Sequence, residues 1–204
     1  ARARGREPEE EEEDAALGPM EMGAFRIETE DGEERDLPLV APQLNDEERS
    51  APAIHGFPRH MRCAACEGVA AVLANATREE VQRPVDTRRG ITPVLAVRLA
   101  ERLVRACADE ESWARGYGVE PSKRKGAPNL LVGPGIGPQE GQWDKEEAMV
   151  QAEHGLVWGQ RFALLCTQVL GQNDEEEIKD AVAEGGEDAV KALLCEERCK
   201  GRRW

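Results

Sequence analysis

The chain has 204 residues, with 41 acidic and 27 basic side chains, a formal net charge of -14 and a pI near 4.8. That balance excludes a protein built to grip phosphate backbones, and no run of about 18 apolar residues is present to span a membrane as a helix. Only 8 residues are aromatic, so the core has to be assembled mostly from Leu, Val and Ala, which suits helices better than sheets.

The charge is unevenly placed. Residues 1–50 hold 17 acids and 6 bases, a net of -11, whereas residues 51–204 hold 24 acids and 21 bases. Low hydrophobicity with like-sign charge buries too little apolar surface to offset chain entropy, so residues 1–50 are expected to be a disordered acidic segment. The chain starts at Ala1 with neither an initiator Met nor an apolar leader, and either a removed signal peptide or a truncated start is expected.

Helical periodicity begins near Met61. Cys66, Val69, Leu73 and Ala76 recur at three or four residues, and Cys63 lies one turn from Cys66 on the same face. Asn75-Ala76-Thr77 fits a glycosylation sequon inside this helix and makes Asn75 a candidate acceptor. A second helix follows from Thr92 as N-cap and Pro93 at the first position, with Ile91, Leu95, Leu99, Leu103 and Cys107 at intervals of four.

Over residues 113–153 the helical period is lost among alternating Gly and Pro, and an irregular excursion is expected. Trp113, Tyr117 and Trp158 flank it and are candidates for a partner surface, although Trp158 is better read as covering the helix that carries Cys166. Gly133-Pro134-Gly135-Ile136-Gly137 lacks the preceding strand and following Lys-Ser/Thr of a phosphate loop. Cys166 shares a helical face with Phe162, Leu165, Val169 and Leu170. Asn173 or Asp174 then caps a helix with Glu175, Glu176 and Glu177 in its first turn; Gly185-Gly186 ends it. A last helix from about Glu187 carries Cys195 and Cys199, and residues 201–204 form a tail.

Six cysteines allow 15 connectivities. The pairs Cys63/Cys66 and Cys195/Cys199 are each one helical turn apart, so antiparallel helices can join them as two rungs, Cys63–Cys199 and Cys66–Cys195, leaving Cys107–Cys166. Two other readings stand beside this nested order. The same four cysteines are enough thiolates for a structural zinc, although their helical stripes differ from knuckle turns and two cysteines are left over. Cys63-Ala64-Ala65-Cys66 is also a candidate redox pair, although no strand precedes it as in a βαβ redox motif. Structural disulfides place the protein in an oxidising compartment. His55, His60 and His154 have no nucleophile at useful spacing and are read as surface or loop residues; His60, one turn from Cys63, is a candidate for lowering that thiol's pKa if it is reduced. No catalytic constellation, cofactor motif or metal site is otherwise expected.

Helices bearing Cys-x-x-Cys, then two central cysteines, then a closing pair resemble the saposin-like fold, in its canopy-type branch of chaperone-associated proteins of the endoplasmic reticulum. Specific segments resemble plasma-cell members of that group: Ala41-Pro42-Gln43-Leu44-Asn45-Asp46-Glu47-Glu48, Pro58-Arg59-His60-Met61-Arg62-Cys63-Ala64-Ala65-Cys66, Tyr117-Gly118-Val119 after Trp113, Gly133-Pro134-Gly135 and Ala192-Leu193-Leu194-Cys195. The resemblance runs from about Ala41 to Cys199. It implies an all-α, saposin-like domain over residues 51–200, with three nested disulfides and a long Gly/Pro-rich insertion. It further implies a non-enzymatic helper of immunoglobulin M heavy-chain folding, assembly and secretion, partnered by resident chaperones and affecting calcium stores and integrin activation. Its location would be the endoplasmic reticulum lumen or, since this chain ends Lys200-Gly201-Arg202-Arg203-Trp204 without a retention tetrapeptide, outside the cell. The alternatives are lipid binding, common among small saposin-like domains, and dithiol oxidoreduction.

Overall fold

A computed structural model describes residues 20–28, 34–52, 56–82, 93–144 and 148–200. Helices dominate. They are α1 (Asp46–Arg49), α2 (Arg62–Gln82), α3 (Pro93–Ala108), α4 (Glu110–Gly116), α5 (Leu156–Leu170) and α6 (Glu175–Cys195). A 3-10 turn over Arg59–Met61 feeds directly into α2.

The middle of the molecule is α2. Cys63, Ala64, Ala65, Cys66, Val69, Ala70, Ala71, Leu73 and Ala74 are all buried, so this helix is covered round most of its circumference. Small residues make that geometry available: a helix of Ala and Gly is slender, and neighbours can approach it from several sides. α6 runs along one side, with α3 and α5 on others, and α4 lies across α5. The α3 stripe buries Leu99, Leu103 and Cys107 and leaves Val97 and Val104 in solvent, as the four-residue spacing requires. Ile91 and Thr92 lie outside the described residues. Asp174 caps α6, its side chain accepting from Glu176 N, and the helix bends at Gly186, where φ is 66° and ψ is -143°. Only glycine adopts that backbone freely, so the pair Gly185-Gly186 sets the break between two helical pieces.

Two small sheets correct the all-α expectation. β1 (Met20–Glu28) and β2 (Glu34–Ala41) form an antiparallel hairpin, and β2 pairs in parallel with β5 (Met149–Val150). β3 (Gly118–Glu120) is flanked by β4 (Leu130–Val132) and β6 (Glu153–His154), both antiparallel to it. The second sheet organises the region expected to be irregular: Val119 and Leu131 are fully buried.

Within residues 1–50, expected as disordered, the described parts are ordered. The hairpin is tied to the helical body through β5, Gln151 N donating to the Val40 carbonyl at 2.9 Å, and Leu37, Val40, Leu44 and Glu48 are buried. The physical reason is local. Charge averaged over 50 residues conceals the apolar stretch Leu37-Pro38-Leu39-Val40-Ala41, which has its own pairing partner. Residues 1–19 lie outside the described residues. No helix among the described residues is long and apolar enough to cross a membrane.

Candidate functional site

The cysteines bind the helices into a ladder. Cys63 is joined to Cys199 and Cys66 to Cys195, with Cα separations of 4.8 and 5.7 Å, so α2 and the end of α6 run antiparallel. Cys107, near the end of α3, is joined to Cys166 of α5 at 5.2 Å. All three separations fall in the range that disulfides span. Cys66 is therefore bonded across to the last residue of α6 and Cys63 to the turn just beyond it, and the two are not bonded to one another. The six sulfurs are all bonded, so the grouping of Cys63, Cys199 and Glu67 within 4.8 Å presents no thiolate to a metal in this state.

Glu67 belongs to this end of the ladder. It is buried beside Cys63, its Oε1 lying 3.7 Å from Cys63 Sγ, while Oε2 accepts from the Gly137 N–H at 3.4 Å. The Gly133–Gly137 loop reaches it by lying directly on α2. A Cβ on Gly135 would come 2.1 Å from the Ala71 Cβ, and one on Gly133 would come 2.3 Å from Tyr117 Cδ1. Both glycines are needed for close backbone approach, and the loop is a packing device, not a phosphate cradle.

Below the ladder lies an aromatic cluster centred on Phe162. Its ring stacks on Trp113, with centroids 5.0 Å apart and planes 3° apart, meets Phe57 edge-on at 4.9 Å and lies 4.2 Å from Tyr117. Glycines admit this cluster. A Cβ on Gly68 would meet Tyr117 Cε1 at 2.7 Å and Phe162 Cε1 at 3.2 Å, and one on Gly159 would meet the Glu110 carbonyl at 2.5 Å, where α4 crosses α5. The Tyr117 hydroxyl sits 2.9 Å from the Pro134 carbonyl and 3.2 Å from that of Gly68; burial, with Glu187 adding to it, pushes its pKa well above the ordinary tyrosine value. Trp113 Nε1 donates to the Ala106 and Cys107 carbonyls. Trp113, Tyr117 and Trp158 are each 2% exposed. They are core residues, which corrects the reading of Trp113 and Tyr117 as a partner surface and agrees with Trp158 as a buried residue of the helix that carries Cys166.

A polar anchor fastens α1 to this core. Asn45 and Glu48 form a reciprocal capping box, Asn45 Oδ1 accepting from Glu48 N at 2.9 Å and Glu48 Oε2 accepting from Asn45 N at 3.0 Å. The same Oε2 accepts from Asn129 Nδ2 at 2.8 Å, and Asn129 also donates to the Gln43 carbonyl. Arg161, buried on α5, donates to the Glu47 and Ser50 carbonyls at 2.6 and 2.9 Å, with its guanidinium 4.6 Å from the Trp158 ring. Burial holds its pKa below the usual arginine value, against the opposing pull of Glu47 and Glu48. His60 Nε2 lies 3.6 Å from Glu48 Oε1, at the edge of this anchor and outside hydrogen-bond reach. The signature Asn45-x-x-Glu48 was available in the sequence; its long-range partners Asn129 and Arg161 carried no local signal.

Asn75 is exposed on α2, whereas Thr77 is fully buried and its hydroxyl donates to the Leu73 carbonyl. His154 Nδ1–H donates to the Tyr117 carbonyl at 3.0 Å from the short strand β6, and His55 lies outside the described residues. A groove of about 540 Å³ opens beside Cys107, lined by Pro52, Ala108, Ala163, Leu164, Thr167 and Gln168 among others. Leu164, in that groove, is 46% exposed, and Leu156, two turns earlier on α5, is 67% exposed.

This architecture defines a mostly helical protein pinned by three buried disulfides, a construction that fits a lumenal or secreted protein. No protein-family model matches the sequence. Curated relatives do. The chain is 32% identical over 181 residues to the marginal zone B- and B1-cell-specific protein of Bos taurus, covering 85% of each chain. It is 30% identical over 175 residues to that of Homo sapiens, again over 85% of each, and 28% identical over 165 residues to that of Rattus norvegicus, over 80% of each. The chain belongs to the marginal zone B- and B1-cell-specific protein family.

Proposed function

We propose that the chain is a chaperone-like helper of the endoplasmic reticulum that promotes immunoglobulin heavy-chain folding, assembly and secretion in B and plasma cells. The observation that supports this most is the 32% identity over 85% of the chain to a relative whose name ties it to B cells. In this reading the protein acts by binding and not by enzymatic turnover, with resident chaperones as further partners. Effects on calcium stores and integrin activation would follow from client maturation. The helices fastened by nested disulfides are in keeping with a saposin-like scaffold of the canopy type.

Its core aromatics are buried, so the client surface lies elsewhere. The exposed edge of α5, with Leu164 in the groove and Leu156 two turns before it, offers apolar side chains on a braced backbone. The test is co-expression of μ heavy and light chains with and without this chain in a cell lacking its relatives. Increased secretion of assembled immunoglobulin M, reduced by Leu156→Asp with Leu164→Asp, is expected. Secretion unaffected by the chain would overturn the reading. The same groove favours lipid binding as a second reading, and co-flotation with liposomes at acidic pH would promote it over the first.

A further inference from the structure

Glu67 is 2% exposed, yet among the described residues one of its oxygens meets only a disulfide sulfur and no N–H or O–H donor. Oε2 has the Gly137 N–H. Oε1 has Cys63 Sγ at 3.7 Å, and a disulfide sulfur carries no proton to give. A buried acceptor without a donor is costly. Reduction of Cys63 supplies the missing donor, because the new thiol sits where its S–H can point at Oε1. The cost therefore weighs on the closed rung and is relieved in the open one.

Two further observations single out the same rung. Cys63 and Cys199 are 6% and 5% exposed, against 0% and 1% for Cys66 and Cys195 and 2% and 0% for Cys107 and Cys166. Cys199 also lies beyond the end of α6, in the turn over residues 196–200, whereas the other five cysteines are held within helices.

From these we propose that Cys63–Cys199 is the exchangeable rung, opened by a cysteine-bearing polypeptide through a mixed disulfide on Cys199. Glu67 is the positioning residue that accepts a hydrogen bond from the freed Cys63 thiol. The incoming thiolate attacks Cys199 Sγ, and a bond forms between the two sulfurs as the bond to Cys63 breaks. Cys63 leaves as a thiolate, takes a proton from solvent and donates it in a hydrogen bond to Glu67 Oε1. A second thiol on a dithiol partner completes the reduction: it attacks the mixed disulfide, the partner becomes a disulfide and Cys199 departs as a thiol. Without that second thiol, Cys63 returns to Cys199 and expels the partner. The Cys66–Cys195 rung keeps α2 on α6 throughout. This goes beyond the heavy-chain reading and does not depend on it.

The test uses the purified oxidised chain, equilibrated in graded mixtures of reduced and oxidised glutathione and quenched by alkylation, with each cysteine followed by peptide mass spectrometry. Cys63 and Cys199 are expected to open while the other four remain protected, with glutathione found on Cys199. Glu67→Leu, which removes the acceptor, is expected to lower the reduction equilibrium constant of this rung about tenfold, equivalent to about 30 mV. Glu67→Gln, which keeps a carbonyl acceptor, should recover part of that change and serves alone if the Leu variant fails to fold. Opening of both α2–α6 rungs together, glutathione on Cys66 or Cys195, or an unchanged equilibrium in the Glu67 variants overturns the proposal. Heavy-chain secretion is not measured in this assay, so either reading can fail without the other.

Discussion

Phe162→Ala is the substitution that most severely tests the packing described above. Phe162 is fully buried, and the rings of Phe57, Trp113 and Tyr117 surround it at 4.9, 5.0 and 4.2 Å between centroids. Truncating a buried Phe costs about 3–5 kcal/mol from lost transfer energy and the cavity left behind. Three aromatic contacts, each carrying about 0.5–1.5 kcal/mol beyond area burial, place this site at the upper end, near 5 kcal/mol. Against a domain stability of about 5–15 kcal/mol, that is a third or more of the whole. For a chain of this length the corresponding fall in Tm is about 10–20 °C. The assay is urea unfolding with disulfides intact, followed by tryptophan fluorescence, with the midpoint falling and the slope unchanged. A loss below about 1.5 kcal/mol would show that the cluster is not the closed centre of the fold, and the burial of Trp113 and Tyr117 would need another explanation.

Other outcomes follow from neighbouring contacts. Burial raises the Tyr117 pKa, so the native state holds that proton more tightly than the unfolded chain. Its contribution is complete below the unfolded value near pH 10 and is lost as pH rises beyond it; Tyr117→Phe should flatten this alkaline limb in pH-dependent denaturation. Replacing Cys107 and Cys166 by Ser opens a closure of sequence separation 59 and should cost about 4 kcal/mol by calorimetry on the chain-entropy scale. Arg161→Met strips the Glu47 and Ser50 carbonyls of their buried, charged donor; a loss of about 3 kcal/mol is expected in urea unfolding. Glu111→Ala, in an exposed pair with Arg115, should change the same measurement negligibly. Asn75 should be glycosylated only during synthesis, because Thr77 is buried once α2 forms; a gel shift in nascent chains that is absent when folded protein meets the transferase would show this.

The ladder is readable in the sequence because helical period and cysteine spacing act together. Cysteines three and four apart fix which face of each helix carries them, and two such pairs can meet rung to rung only if the helices are antiparallel. The α3 stripe and the Gly185-Gly186 break are local patterns of the same kind. The aromatic cluster is not readable in this way. Phe57, Trp113, Tyr117 and Phe162 are scattered over about a hundred residues, and their meeting depends on Gly68 leaving room on α2 and Gly159 on α5. The anchor at Glu48 is half visible: its capping box is local, while Asn129 and Arg161 arrive from 81 and 113 residues away. The hairpin over residues 20–41 is hidden by averaging, since the acids around it dominate any window wide enough to judge disorder. Glu67 has no signal beyond lying four residues after Cys63, and its burial beside a disulfide follows from the Gly133–Gly137 loop closing over it.

Disulfide mapping of the chain made in an oxidising compartment tests the ladder most directly. Elastase cleavage between Ala64 and Ala65 separates Cys63 from Cys66, and trypsin cleavage after Arg198 separates Cys195 from Cys199. Peptides joined as Cys63–Cys199, Cys66–Cys195 and Cys107–Cys166 are the predicted result. A Cys63–Cys66 bridge, or free thiols at these positions in the fully oxidised chain, would contradict it.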